Sequence, residues 1–302
     1  MNTTLLKWII TIGLLAITSQ MVHLETVMQT LLSASAGAIV TAIAIQTLST
    51  FLAAYRWSLI MDSLQFHESY RVYLASYYKG AFFNQALPGS IGGDAVRVLE
   101  FGSMGYRKKE AFYGIFIDRI VGLVGLLLLN LGANLYSGAL LPSWLFGLIN
   151  MIALGGIAGF ALLIVLHKFS FLSAYRITNL LSELSSRFRQ VYRGKKAILT
   201  QLTLSVIIHF LSIVALYEIA RSVGMDLSIE LFFVAVPPVF LLTIVPISLA
   251  GWGVRESAMI GIFMLIGASK ETILSVSILY GLMLIIASLP GLFIWLSGKK
   301  LV

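Results

Sequence analysis

The chain has 302 residues, of which 59% are hydrophobic and only 11% charged; its net charge is +8, its mean hydropathy +0.94, and it has no cysteine. A water-soluble domain of that balance would expose large apolar patches, so the chain is an integral membrane protein. The missing cysteines exclude disulfides, thiolate nucleophiles and thiolate metal sites, and in a membrane protein surplus Lys and Arg mark cytoplasmic loops rather than nucleic-acid binding.

The apolar runs are the length of helices. A helix needs about 20 apolar residues to cross the bilayer, and the ten-residue alternation of a barrel strand is missing. The fold class is therefore an all-α polytopic membrane protein. The first run, near 5–22, carries Lys7 near its start and no convincing small-x-small cleavage site, and is expected to persist as a span or signal anchor. A second span covers 34–60. Region 71–105 is apolar but broken by LPGSIGGDAVR, residues 87–97. Full spans follow at 111–135 and 143–166. Segment 167–196 mixes apolar and basic residues, a basic cytoplasmic amphipathic linker expected to lie on the inner leaflet, drawn by about 1 kcal/mol per basic residue. Span 197–220, a second broken region at 229–268 and span 272–297 complete the series. The count is about six full spans plus two broken or re-entrant hairpins.

Basic residues set the orientation. Arg107, Lys108 and Lys109 follow the first broken region, seven Lys and Arg in 167–196 face the single acid Glu183, and Lys299 and Lys300 come near the end. Linkers 136–143 and 221–228 are nearly neutral. The positive-inside rule then puts both termini, 62–70, 106–110 and 167–196 in the cytoplasm. Each broken region enters and leaves on one side, as a re-entrant hairpin or as two thin spans.

Residues 245–255, VPISLAGWGVR, repeat the first broken motif. Pro88/Pro246, Ser90/Ser248, Gly93/Gly251, Val96/Val254 and Arg97/Arg255 are each 158 positions apart. The unit is span, hairpin, span: repeat one over 33–135 with hairpin 71–105, repeat two over 197–297 with hairpin 229–268. The topology makes the two copies an inverted repeat, in which paired broken helices point to a transporter site near the midplane. Pro88, Gly89, Gly92, Pro246 and Gly253 are the expected hinges and turns. The restarted helices offer free N–H groups and a positive dipole end to an anion. Arg97 and Arg255 stand near those starts as forks for phosphate or carboxylate, with Ser90 and Ser248 as caps or donors. Asn84, Gly93 and Gly251 complete the candidate substrate-binding set, and Asp94 and Glu256 are expected to switch partners or carry protons. The competing reading has Arg97 paired with Asp94 or Glu100, and Arg255 with Glu256, merely pinning the hairpins.

The four histidines are scattered without an HExxH pattern, and His209 reads as a packed mid-span residue. No metal, cofactor or nucleotide motif is read from the sequence, and an enzyme is not expected. Two alternatives to lipid movement stay open: a small-anion secondary transporter, and an intramembrane lipid-modifying transferase with Asp94 or Glu256 as general base. Small residues in 34–44 and 151–160 suit close helix packing, within one chain or in a homo-oligomer.

At these residues the sequence resembles the flippase-like transmembrane domain of lysylphosphatidylglycerol synthases and its stand-alone relatives. The resemblance rests on Arg56-Trp57, Asn84-x-x-Leu87-Pro88, Gly93-Asp94-x-x-Arg97, Asp118-Arg119 and Pro246-x-Ser248-x-x-Gly251-x-Gly253-x-Arg255-Glu256, and covers nearly the whole chain. It implies a multi-pass protein of the cell inner membrane that moves lipids between leaflets. The partners it implies are an anionic phospholipid or a polyprenyl-linked lipid, with a separate enzyme making that lipid. These 302 residues contain none of the soluble aminoacyl-transfer domain of the fused members, so lysyl-lipid synthesis is not expected of them. Family members often carry a further acid after the acid-Arg pair; Gly122 stands there in this chain, and Asp118 with Arg119 is expected to be a structural ion pair.

Overall fold

The computed structural model describes residues 3–87, 92–138, 140–168 and 176–298. Among these residues there are twelve α-helices and no strand: α1 (Thr3–Gln20), α2 (Leu24–Leu32), α3 (Ala36–Ser63), α4 (Tyr70–Ala86), α5 (Gly92–Ser103), α6 (Lys108–Ser137), α7 (Ser143–Val165), α8 (Arg176–Val191), α9 (Lys195–Ser222), α10 (Ile229–Ile244), α11 (Val254–Phe263) and α12 (Lys270–Leu296). The all-α polytopic fold read from composition is the fold observed. Five helices, α3, α6, α7, α9 and α12, are long and apolar enough to cross a membrane, and α1 with α2 makes a sixth candidate bent by 95°. The bend and helix α2 are additions to the sequence reading.

Both broken regions are helical hairpins. In the first, Asn84 meets Gly93, Gly80 meets Arg97 and Tyr73 meets Phe101, so α4 and α5 run antiparallel, side by side. In the second, Thr243 lies against Gly251 and Phe232 against Phe263. At 1.5 Å per residue, α5 is about 18 Å long and α11 about 15 Å, well short of the roughly 30 Å hydrocarbon core. Their partners α4 and α10, with 17 and 16 residues, reach about 25 and 24 Å.

The two series of helices match in order and length. The 28-residue α3 has its counterpart in the 28-residue α9, and the 30-residue α6 in the 27-residue α12. The packing is reciprocal: α4 lies on α12 and α10 on α6, so the first helix of each hairpin leans on the last span of the other series. Gly291 of α12 has the Tyr78 carbonyl where a Cβ would stand, so α4 and α12 cross at close range. The same order extends upstream of residues 33 and 197. A span and an amphipathic helix precede each unit, α1–α2 before the first and α7–α8 before the second.

Between α10 and α6 the chain solves a local problem. Pro237 and Pro238 lie inside α10 and donate no hydrogen bond, which frees the carbonyls four residues earlier. Asn130 of α6 supplies the missing donor, with Nδ2 3.3 Å from the Phe233 oxygen and 3.1 Å from that of Val234. Two apolar cores result, one behind each hairpin. The first is built on Trp57, Phe66, Tyr73 and Phe101, the second on Phe232, Phe263, Val236 and Ile273.

Helix α8 docks on the bundle. Its apolar residues Leu184 and Phe188, with Val191 and Tyr192, are buried in protein beside Phe160, while Leu181 is exposed. Polar ties reinforce the docking: Arg187 to Glu110 at 2.7 Å, Lys109 to Glu183 at 2.6 Å, and Gln190 to the Ser63 carbonyl at 2.9 Å. The amphipathic stripe was legible; that α3, α6 and α7 supply its partner surface depends on tertiary packing.

The orientation read from the charges gives an expected labelling pattern. Single cysteines replacing the exposed Lys108 and Asp226 react with a membrane-impermeant maleimide from opposite sides of oriented vesicles. Labelling of both from one side contradicts that orientation.

Candidate functional site

A cleft of about 490 Å³ lies between the two hairpins, lined by residues of α3, α4, α5, α6, α9, α10 and α12. Its charged wall is assembled by close backbone approaches. A Cβ on Gly93 would overlap the Gly80 carbonyl, so this pair of glycines lets α5 sit directly on α4. A Cβ on Gly80 would come within 3.1 Å of the Arg97 side chain, which lies across the bare helix there. The guanidinium stacks 4.7 Å from the Trp57 ring centre and 5.0 Å from that of Tyr77. Such cation–π contacts contribute up to about 2 kcal/mol when desolvated.

Five charged groups then alternate in sign. Arg119 pairs with Asp94. Asp94 accepts from Arg97 Nη2 at 2.6 Å, and Arg97 Nη1 stands 4.0 Å from Asp118. Asp118 Oδ1 accepts from Arg56 Nε at 3.0 Å and from its Nη2 at 2.8 Å. Arg56 donates a further bond to Ser205 Oγ at 2.9 Å. The series holds three arginines and two aspartates, a formal surplus of one positive charge inside an apolar bundle. Arg97 Nη1 has no hydrogen-bond partner among the described residues. A buried donor left open is costly, and one on a charged group more so.

The second hairpin is built differently. Arg255 Nη2 bonds Glu256 Oε1 at 2.6 Å, its Nε reaches Ser277 Oγ at 3.1 Å, and the guanidinium lies 4.6 Å from the Trp252 ring. Glu256 Oε2 accepts from the Gly253 N–H at 2.6 Å, capping α11. Gly251 and Gly253 have φ of +81° and +83°, which glycine alone adopts without strain. A Cβ at Gly253 would also press on Leu14 of α1. Arg255 lines a second, smaller cleft of about 260 Å³, and this shares Asn84, Gln85, His209 and Leu284 with the first.

A sequence model of the family described as the lysylphosphatidylglycerol synthase TM region matches residues 4–291. The chain belongs to that family. A search of curated proteins gave no match. The expected site residues of this lysylphosphatidylglycerol synthase TM-region protein are only partly brought together. Arg97, Asp94 and Asn84 line the larger cleft, and Arg255 the smaller. Asn84 Oδ1 accepts from the Gly93 N–H at 2.8 Å, so a side chain already caps the start of α5. Glu256 is fully buried in its cap, while Ser248 is buried with no partner for Oγ among the described residues and lines neither cleft. Pro246 stands in the turn after α10. Gly92 opens α5, with no room for a Cβ beside Leu87. Pro88, Gly89 and Ser90 lie outside the described residues.

Two readings are corrected by the geometry. Asp118 and Arg119 do not pair with each other: successive residues of a helix point about 100° apart, so Asp118 turns to Arg56 and Arg119 to Asp94. The second reading, of helix starts that offer free N–H groups to an anion, is narrowed: the Gly93 N–H is taken by Asn84 and the Gly253 N–H by Glu256. Gln46 and Gln85 are lining residues that sequence reasoning did not single out, and Arg56 entered it only through the Arg56-Trp57 motif. Arg56 carried a signal, since an ionisable residue within a span is a functional candidate by default. Gly122, where the further acid was expected, lies against the Arg56 guanidinium and lends its carbonyl to His209 Nε2 at 2.9 Å.

The Gly80–Gly93 crossing fixes where Arg97 lies. Gly93→Ala is expected to cost about 1–3 kcal/mol through overpacking, read as a lowered melting temperature in detergent. Gly132→Ala, with nothing within 4 Å of the added carbon, leaves melting unchanged or slightly raised.

Proposed function

We propose that this protein translocates an anionic phospholipid or a lipid-linked intermediate between the leaflets of the cytoplasmic membrane, without covalent chemistry. One observation carries the reading. Beside the larger cleft three arginines share two aspartates, and the central one, Arg97, has a buried Nη1 with no hydrogen-bond partner among the described residues. A headgroup phosphate supplies the acceptor that Arg97 lacks and balances the surplus charge, while its tails stay among apolar side chains.

The two halves act as an inverted repeat in this reading, with both termini in the cytoplasm. The first hairpin is the moving part, and the Arg255–Glu256–Ser277 cluster holds the second against α12. A phosphate arriving at Arg97 competes with Asp94 for the guanidinium. This loosens the tie from α5 through Asp94 to Arg119 on α6, and so couples occupancy to hairpin position. A separate enzyme makes the lipid.

Leaflet exchange of fluorescent anionic phospholipids in sealed proteoliposomes, followed with an impermeant quencher, tests this. Wild-type protein is expected to accelerate exchange and Arg97→Gln to reduce it at least about tenfold, the loss of one charge-assisted bond. Uptake of inorganic phosphate without lipid exchange moves the reading to small-anion transport. Equal exchange by the variant and the wild type contradicts the role of Arg97.

A further inference from the structure

The two helices of the first hairpin hold an ion pair that lines neither cleft: Lys79 of α4 pairs with Glu100 of α5. It stands between two contacts that set α4 against α5, Gly80 with Arg97 on one side and Tyr73 with Phe101 on the other. Lys79 bonds the Oε1 oxygen of the carboxylate. Glu100 Oε2 is buried with no hydrogen-bond partner among the described residues, and so is the hydroxyl of Ser76, about one helical turn before Lys79. A pair that merely pins a hairpin has no use for an open oxygen, and Glu256 in the second hairpin engages both of its own. Nor does the hairpin architecture call for a charge at this place. At the spacing of 158 that relates the two hairpins, Ser76, Lys79 and Glu100 fall on Val234, Pro237 and Ala258.

We infer that Glu100 is a proton site, and that it takes up a proton when an anion binds at Arg97. The inference rests on the proposed phosphate reading and adds a coupled ion to it. The proton comes from water and bonds to Oε2, which turns an open acceptor into a donor; the Ser76 oxygen is an unused acceptor for it. Lys79 then keeps its charge without a full counter-charge. Arg97 lies one turn away on α5, about 4.5 Å along the axis, in a series that already carries one surplus positive charge. A second surplus charge is costly in an apolar bundle until an anion arrives. Proton and anion therefore favour each other, and each raises the affinity for the other by the same factor. The ionisable neighbours are already engaged. Asp94 is bonded to Arg97 and Arg119, Asp118 of α6 to Arg56 of α3, and Tyr77 of α4 stacks on Arg97. Asp62 of α3 accepts from Tyr73, and Lys108 of α6 lies over Gly102. On α12, which crosses α4 at Gly291, Tyr280 is the one ionisable residue between Glu271 and Leu296.

The test uses purified full-length protein in detergent and short-chain phosphatidylglycerol, whose phosphate keeps a single charge near neutral pH. Its dissociation constant is measured from about pH 8 down to about pH 5, and proton uptake on mixing is read with an indicator dye in weak buffer. Wild-type protein is expected to bind at least about tenfold more tightly at the acid end and to take up a proton as lipid binds. Glu100→Gln keeps the shape of the side chain, binds with an affinity independent of pH and takes up no proton. Wild-type affinity that does not change with pH overturns the inference, whether or not the variant folds, and leaves the phosphate reading standing. A pH dependence that survives in Glu100→Gln places the proton elsewhere, at Asp94 or His209, and overturns it as well. Failure of phosphatidylglycerol to bind at any pH, to protein that melts cooperatively, overturns the phosphate reading and this inference with it.

Discussion

Four charged side chains buried in an apolar bundle, with the half-buried Arg119 at their edge, are the constraint around which the rest of the structure is arranged. Each of Arg56, Asp94, Arg97 and Asp118 is at least nine-tenths buried, and an isolated charge in such surroundings costs several kcal/mol. The bundle offsets that cost by alternating the signs and by drawing the five groups from three elements: Arg56 from α3, Asp94 and Arg97 from α5, and Asp118 and Arg119 from α6. No one of these helices can move away without separating a pair. The bare glycines at 80 and 93 follow from the same need, because Arg97 reaches its partners only where α5 lies directly on α4.

The second hairpin obeys the same rule with a different result. Arg255, Glu256 and Ser277 satisfy one another, Trp252 covers the guanidinium, and the remaining oxygen of Glu256 caps its own helix. Two sequence motifs that look alike thus become one open charge site and one closed brace. The difference traces to the acid beside each arginine. Glu256 is the next residue in the chain and stays with Arg255, whereas Asp94, three residues before Arg97, divides its two oxygens between Arg97 and Arg119. An asymmetric pair of this kind suits a carrier in which one hairpin meets the charged part of a ligand and the other provides a fixed wall.

Fold class and helix positions were legible in the sequence because hydrophobic length and Lys/Arg placement are local properties. All six apolar runs lie on helices, and each broken region holds a pair of helices packed side by side. What the sequence withheld was partnership. Adjacent letters made Asp118 and Arg119 look like a pair, although helix geometry sends them to opposite neighbours. Arg56 looked like the end of a span because its partner lies 62 positions away. Asn84 looked like a ligand donor, yet it closes the start of α5. Helix α2 is a nine-residue segment with no apolar run of its own, and it packs on α12, a partner far away in the sequence.

The most direct test separates surplus charge from buried pairing. The double variant Arg56→Gln/Asp118→Asn removes one positive and one negative group and keeps the net charge of the series. Arg97→Gln removes the surplus charge together with the Arg97–Asp94 bond. Bound phospholipid counted by native mass spectrometry on protein released from membranes should stay near the wild-type level in the double variant and fall in Arg97→Gln. Loss of lipid in the double variant with retention in Arg97→Gln would contradict the account, because binding would then follow the Arg56–Asp118 pair and not the open charge at Arg97.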